Sequence, residues 1–139
     1  MLKFKEYFVN RVLGDPTLKA MIQNGNVYNV FPTDIDIQPE SFPTITFKDA
    51  GFAVLSAPQG MHIGIFQVDI WSIKNALEVE NIYTRLAQLF NFRDSLKDTL
   101  TGTLWWMREN GERDMHTPGR RIWHKVVDFK VWYSAVDNT

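Results

Sequence analysis

The sequence predicts an α+β fold, with two main helices packed on one face of a mainly antiparallel β-sheet and a long C-terminal hairpin. Phe66, Val68 and Ile70 alternate with polar residues, as expected for a half-buried strand. From Ala76 to Phe90, apolar residues instead recur every three or four positions, which is one face of a helix. Arg121 to Ala135 is the longest alternating run and predicts the last strand.

The N-terminal part predicts two helices and a short strand. Leu2 to Leu13 carries an apolar stripe close to helical spacing. Asp15-Pro16 then provides a cap with proline in the first turn, which opens a second short helix through Ile22. Val27 to Phe31 follows a turn sequence and predicts a short strand.

The central part predicts a strand between two connections. Pro32 to Pro43 is a long, proline-flanked connection, and Pro43 to Lys48 is a strand that Asp49-Ala50-Gly51 ends. Phe52 to Gly60 is a second connection, of unassigned shape. Before the main helix, Asn75 and Glu78 form a capping-box pattern, and Ser72 is a second candidate cap.

The C-terminal part predicts a long hairpin. Arg93 to Leu100 is mixed and predicts a helical turn and a loop, and Thr103 to Arg108 predicts a strand. Glu109 to Gly119 is polar and rich in turn signals, so we expect the strand before it to pair with Arg121 to Ala135. One face of this last strand is predicted to carry Trp123, Lys125, Val127, Phe129, Val131 and Tyr133.

Composition predicts one soluble domain over residues 1–139, long enough to bury a sizeable core. The net charge of −1 gives no global field to attract nucleic acid or a membrane, and without cysteine there is no disulfide or thiolate chemistry. No signal peptide or membrane span is expected, so the protein is expected to start in a cytoplasm. The aromatic share of 14% exceeds what one small core needs, which favours a surface covered in an assembly.

Motifs for catalysis and for cofactors are missing from the sequence. It contains no glycine-rich nucleotide loop and no nucleophile motif, so we expect no enzyme and no cofactor. A metal-dependent hydrolase that uses His116, His124 and Asp114, with His62 as a further ligand, is the remaining enzyme hypothesis. The ligand spacing is unlike that of a zinc site, so ordinary surface histidines and no metal are favoured.

Two polar sets are candidates for binding. Asp34, Asp36 and Glu40 lie in the proline-flanked connection, where a solvated acidic loop is favoured over a cation or acid–base site. The second set mixes aromatic and basic side chains, a composition typical of protein interfaces and of single-stranded nucleic-acid sites. With a net charge near zero, the protein interface is favoured. The second set comprises Trp105, Trp106, Met107, Arg108, Arg113, Arg120, Arg121 and Trp123.

Several short motifs occur in an order that resembles a known family. They are VYNVFP from Val27, FPTITF from Phe42, QVDIWS from Gln67, IYTRLAQLF from Ile82 and DFKVWYS from Asp128. Together they resemble the tail terminator proteins of long-tailed bacteriophages, also called tail completion or head–tail joining proteins. The resemblance spans nearly the whole chain and rests on loose motifs rather than on a catalytic signature.

The resemblance implies a virion structural protein, located at the head-proximal end of the tail and made in the host cytoplasm. Members form hexameric rings that cap the tail tube, stop its polymerisation and present a surface to the head connector, with DNA passing through the lumen. A ring needs two different contact patches on each subunit. The hypothesis places one on the hairpin arms from Trp105 to Trp123 and the other on the loop that contains Asp34 and Asp36.

Two other functions remain open from the sequence. Another neck component, such as a connector or stopper subunit, shares the same assembly logic. A single-stranded nucleic-acid binding module would use the Trp and Arg residues to stack on bases and hold phosphates.

Overall fold

The computed structural model describes residues 2–33, 43–56, 61–90, 93–97, 104–115, 119 and 121–134, with side chains at 5–33, 43–51, 64–90, 107–115, 119 and 121–132. Its helices are α1 (Leu2–Leu13), α2 (Pro16–Met21) and α3 (Ala76–Phe90). In these ranges no helix has the length and apolar character that crossing a membrane requires. The strands are β1 (Gln23–Asn24), β2 (Val27–Tyr28), β3 (Val30–Pro32), β4 (Thr44–Ser56), β5 (Met61–Ser72), β6 (Arg93–Lys97), β7 (Leu104–Asp114) and β8 (Trp123–Ser134).

The main sheet has six strands in the order β3-β4-β5-β8-β7-β6. Only the β3–β4 pair is parallel among its described pairings, and β1 with β2 forms a separate small hairpin. The long strands β5 and β8 pair over their full length, from Met61 opposite Ser134 to Ser72 opposite Trp123. The predicted α+β class, with a mainly antiparallel sheet and a C-terminal hairpin, is confirmed.

The hydrophobic core lies between the helices and one face of this sheet. Val68 is paired with Phe47 on β4 and with Val127 on β8, so the apolar positions of three strands form continuous rows. Phe8 of α1 packs on these rows, with its ring centroid 5.4 Å from Phe47 and 5.0 Å from Phe66. Because alternate residues of a strand point to opposite faces, the intervening positions form a second face that carries no described helix. We call this the helix-free face.

Polar caps at Asp15 and Asn75 fix the starts of α2 and α3, as predicted. Asp15 accepts a hydrogen bond from the backbone N–H of Leu18 and thereby caps α2. The same carboxylate binds Arg85 of α3 at 2.9 Å, which joins the two helices. At the start of α3, Asn75 accepts from the N–H of Glu78, while Ser72 donates to the Glu78 carboxylate. Asn75 is therefore the cap of α3. Ser72 would cap the helix only if it began earlier, and that alternative is wrong, because α3 starts at Ala76 and the Ser72 hydroxyl accepts from the N–H groups of Lys74 and Asn75 before it.

Strand boundaries differ from the prediction at several places. Asp49-Ala50-Gly51 does not end β4, because a register shift there lets the strand continue to Ser56. Gly51 has a φ of 141°, a value that favours glycine. The predicted connection from Phe52 to Gly60 is therefore mostly strand, and the rest of it lies outside the described residues.

The C-terminal half contains more strand than predicted. Arg93–Lys97 forms strand β6 against β7 rather than a helical turn. Strand β7 continues beyond Arg108 to Asp114, because a register shift between Glu109 and Gly111 restores its pairing with β8. The strand predicted from Val27 to Phe31 is divided between β2 and β3.

Candidate functional site

Three side chains of the β7–β8 hairpin form a basic–aromatic cluster on the helix-free face. Arg108 on β7 is paired in register with Lys130 on β8. The guanidinium carbon of Arg108 lies 5.7 Å from the ring centroid of Trp132, and Nζ of Lys130 lies 5.3 Å from it. Both cations are thus within reach of the electron-rich ring face. We use the name basic–aromatic cluster for Arg108, Lys130 and Trp132.

Of the other predicted interface residues, those whose side chains the structure describes do not join this cluster. Arg113 donates to Asp128 at 3.1 Å, and Arg121 is exposed. Trp123 is half-buried and packs against the core on the opposite face of the sheet. Trp105 and Trp106 lie in β7, opposite Tyr133 and Trp132 respectively, and their side chains lie outside the described part. Arg120, Asp34 and Asp36 lie outside the described residues altogether.

A buried lysine occupies the helix side of the same hairpin. Lys125 is only 2% exposed, and its charged side chain is buried although its neighbours along that face of β8 are apolar. Its Nζ lies 2.7 Å from the carboxylate of Glu80 on α3 and 3.4 Å from that of Asp114 on β7, and it also donates to Glu112. We call Glu80, Glu112 and Asp114 the acidic cluster. The ammonium group of Lys125 contacts all three carboxylates and thereby joins α3 to the hairpin.

The protonation of this network is fixed by its contacts. Burial of Lys125 acts to lower its pKa, but the hydrogen bonds to Glu112 and Glu80 outweigh that effect and raise the pKa above its usual value. Burial raises the pKa of the Tyr83 hydroxyl, and so does its hydrogen bond to Glu109 at 2.6 Å. Lys125 is therefore charged and Tyr83 neutral at every physiological pH.

The acidic cluster carries more charge than the lysine neutralises. Three carboxylates surround one ammonium group, which leaves a local charge of −2 when all are ionised. The side chains of Glu80, Glu112 and Asp114 remain 46%, 38% and 72% exposed. A cavity of about 310 Å³ opens beside Glu80 and Asp114, with Trp123 and His124 on its wall. This surface is suited to a cationic group from outside the chain.

A third polar group lies on the helix-free face at the far end of the hairpin. His124 stacks on Trp71, with 3.6 Å between ring centroids, and its Nε2 lies 2.8 Å from the Asp69 carboxylate. Trp71 in turn donates to Thr46 at 3.0 Å. These contacts hold the His124 ring against the sheet. Among the described residues, no group of three or more His, Asp or Glu is placed to hold a metal ion. His116 lies outside the described residues.

A shallow apolar groove lies elsewhere, between α1 and the edge strand β3. Its volume is about 440 Å³, and Val9, Val30, Pro32 and Phe47 contribute its apolar walls. Lys5 and Glu6 lie at its rim. The described residues that line the groove form no constellation of acid, base and nucleophile.

Comparison with known proteins gives one line of evidence. No protein-family model and no curated protein matches the chain. Among solved structures, a chain from the virion of a native gene transfer agent particle superposes with a TM-score of 0.71. The match covers 91% of each chain at 8% sequence identity. The two chains share one fold.

Sequence reasoning found part of this site. The alternation of β8 placed Lys125 on the same face as Val127 and Phe129. Its ion pair was not predicted, although a lysine in an otherwise apolar row is the signal that could have indicated one. The partnership of Arg108 with Lys130 and Trp132 was missed, because it depends on the register between two strands. No local pattern in either strand specifies that register.

Proposed function

We propose that this chain is a virion structural protein of the tail terminator type. In this proposal it forms a ring at the head-proximal end of a phage-like tail, caps the tail tube, stops its polymerisation and joins the tail to the head connector. The observation that carries the proposal is the fold shared with a gene transfer agent virion chain over 91% of both chains. The ordered motifs that resemble the terminator family support the same role.

The polar groups of the described residues also support an assembly role. Lys125, the acidic cluster, Tyr83 and Glu109 form one connected network that holds α3 to the hairpin. On the opposite side of the sheet, the basic–aromatic cluster presents Arg108 and Trp132, two residue types enriched in protein interfaces, beside Lys130. Such surfaces act by contact with other subunits rather than by chemistry.

The proposed partners are further copies of the chain, the tail tube protein and the head–tail connector. The ring occupies the tube end, so that the surface to which another tube ring would add is covered. DNA only passes through the lumen, and no cofactor, metal or membrane takes part. Assembly takes place in the host cytoplasm, and the final location is the virion tail.

Addition of the purified protein to polymerising tail tube protein tests this proposal. We expect shorter tubes in negative-stain images, with a gold label on the tagged protein at one end only. Trp105→Ala and Trp106→Ala are expected to fold and to lose capping if those residues anchor the ring. Tubes of unchanged length, or label distributed along their sides, would contradict the terminator role.

A different neck component is the second candidate, because a fold shared with a virion chain does not specify a position within the virion. A connector or stopper subunit would bind DNA-filled heads in preference to isolated tubes. Sedimentation of the labelled protein with each purified particle distinguishes the two roles.

The basic–aromatic cluster favours a third candidate, a single-stranded nucleic-acid binding module. Arg108 and Lys130 flank the Trp132 ring in the manner of a stacking platform with phosphate contacts. This function predicts salt-dependent quenching of tryptophan fluorescence by oligonucleotides. Unchanged fluorescence at low salt would exclude it.

A further inference from the structure

The two charged clusters lie on opposite faces of one hairpin and have opposite sign. Arg108 and Lys130 belong to the helix-free face, where Trp132 adds an apolar surface. Glu80, Glu112 and Asp114 belong to the helix side, around Lys125. Glu80 belongs to α3, but Glu112 and Asp114 lie on β7, so the register of Arg108 with Lys130 and of Asp114 with Lys125 fixes their position relative to the basic–aromatic cluster.

We propose that copies of this chain associate head to tail, with the basic–aromatic cluster of one copy seated on the acidic cluster of the next. The inference rests on the proposed ring and names the two surfaces that build it. The cations of one copy meet the −2 charge that Lys125 leaves uncompensated on its neighbour. The cavity beside Glu80 and Asp114 gives room for a long basic side chain.

A second copy of the chain offers a surface of opposite charge to both clusters, whereas nucleic acid could bind only the basic–aromatic cluster. The half-exposed carboxylates of the acidic cluster would repel phosphate, and the chain as a whole carries a net charge of −1. On the helix-free face, Arg113 is already neutralised by Asp128, which leaves a small basic area rather than a phosphate track. A protein surface of opposite charge is the better complement, and this chain carries one in the acidic cluster.

The geometry also decides the type of assembly. A contact between two different patches is heterologous, so each copy retains one free patch after a pair has formed. Such contacts continue until they close into a ring or extend into a filament. The loop that contains Asp34 and Asp36, predicted above as one ring contact, is not required by this arrangement.

A charge-exchange experiment tests the contact on the full-length protein. Lys130→Glu reverses one charge of the basic–aromatic cluster, and Asp114→Lys reverses one charge of the acidic cluster. Asp114 is 72% exposed and is the most distant of the three Lys125 partners, so Glu80 and Glu112 still neutralise Lys125 in that variant. Thermal unfolding monitored by circular dichroism checks that each variant folds, and Arg108→Glu replaces Lys130→Glu if the latter does not.

The measurement is oligomeric mass by light scattering over a wide range of concentration. We expect the wild-type protein to self-associate, and each variant alone to associate more than about tenfold more weakly, because like charges then meet. An equimolar mixture of the two variants should regain assembly, since one of its two contacts is native and the other has both charges exchanged. Lys74→Glu and Glu6→Lys make the same changes of charge at exposed positions outside both clusters and should associate like wild type.

Three outcomes would overturn the inference. They are a wild-type monomer at every concentration up to about 1 mM, variants that associate like wild type, and folded variants whose mixture stays dissociated. The proposed function is tested by a separate experiment, and it would be contradicted if the wild-type protein did not cap tail tubes. A wild-type protein that still caps tubes after any of these outcomes would keep its terminator role and lose only the assigned contact.

Discussion

Nζ of Lys125 on β8 lies 2.7 Å from the carboxylate of Glu80 on α3, so an ion pair joins the C-terminal strand to the main helix. The lysine is 2% exposed, and Tyr83, one turn further along α3, covers it at 4.7 Å from the ring centroid. The contact crosses from helix to sheet beside apolar residues of the core, since Val79, Val127 and Trp123 belong to it or pack against it. It therefore determines how α3 is held against the hairpin.

Lys125→Ala is expected to lower the free energy of unfolding by about 2–3 kcal/mol. Removal of one partner of a buried ion pair costs about 3–5 kcal/mol, and the loss is smaller here because the three carboxylates are partly exposed and take up water. Urea unfolding followed by circular dichroism measures the change. Lys130→Ala, half-buried on the opposite face of the same strand, is the matched control and should cost about 1 kcal/mol or less. Equal losses in the two variants would contradict the structural role of Lys125.

Stability should fall in alkaline solution because of Lys125 and Tyr83. Both pKa values are raised in the folded protein, so the folded state holds these protons at a pH at which the unfolded chain releases them. The resulting stabilisation is complete below about pH 10, where unfolded tyrosine and lysine are still protonated. It is lost as the pH rises from there through the folded values.

Urea unfolding between pH 8 and about pH 11 measures this loss. Tyr83→Phe removes the hydroxyl and its hydrogen bond to Glu109, so its stability should fall less steeply with pH than that of wild type. Tyr28→Phe, a half-buried tyrosine outside the network, is the control and should keep the wild-type slope. A Tyr83→Phe protein as sensitive to alkali as wild type would be evidence against the assigned protonation.

Asp15 is expected to govern part of the acid sensitivity. The hydrogen bond from Arg85 lowers its pKa, burial opposes that effect, and the backbone N–H of Leu18 adds to the lowering. A lowered pKa stabilises the folded state above the unfolded value of about 3.9, and this stabilisation is lost as the pH falls through the folded value. Asp15→Asn should therefore show a smaller loss of stability than wild type below about pH 4.

The cap and the charge of Asp15 can be separated. Asp15→Ala removes the acceptor for Leu18 and should cost about 1–2 kcal/mol near neutral pH through the cap of α2 alone. Asp15→Asn keeps an acceptor oxygen and should retain much of that contribution. Unfolding curves at pH 7 compare the two variants, and identical losses would show that the cap contributes little.

The sequence was sufficient for the features that depend on local chemistry. The caps at Asp15 and Asn75 follow from side-chain oxygens next to helix N–H groups, and the two faces of β8 follow from alternation. Features that depend on distant partners were not predicted. Asn110-Gly111 is typical of a tight turn, yet Gly111 lies opposite Asp128 in a strand, because the register shift beside it lets pairing with β8 continue.

The candidate site likewise combines one feature that local sequence predicts with another that it does not. Lys125 was placed on the correct face because the spacing along one strand decides it. The acidic cluster was not predicted, since Glu80 comes from α3 and Asp114 from a stretch that composition assigns to a loop. Residues that far apart in sequence meet only through tertiary packing, which no local pattern encodes.

Phe8 is expected to be the most sensitive residue of α1. It is fully buried, and its ring lies 5.1 Å from that of Phe90 as well as close to Phe47 and Phe66, so it joins both main helices to the sheet. Phe8→Ala should cost about 3–5 kcal/mol, through lost transfer free energy and the cavity left behind. Leu77→Ala removes an apolar side chain that is 65% exposed on α3 and should change stability by about 0.5 kcal/mol or less. Urea unfolding of both variants gives the comparison, and a similar small effect in each would mean that α1 does not pack on this face of the sheet.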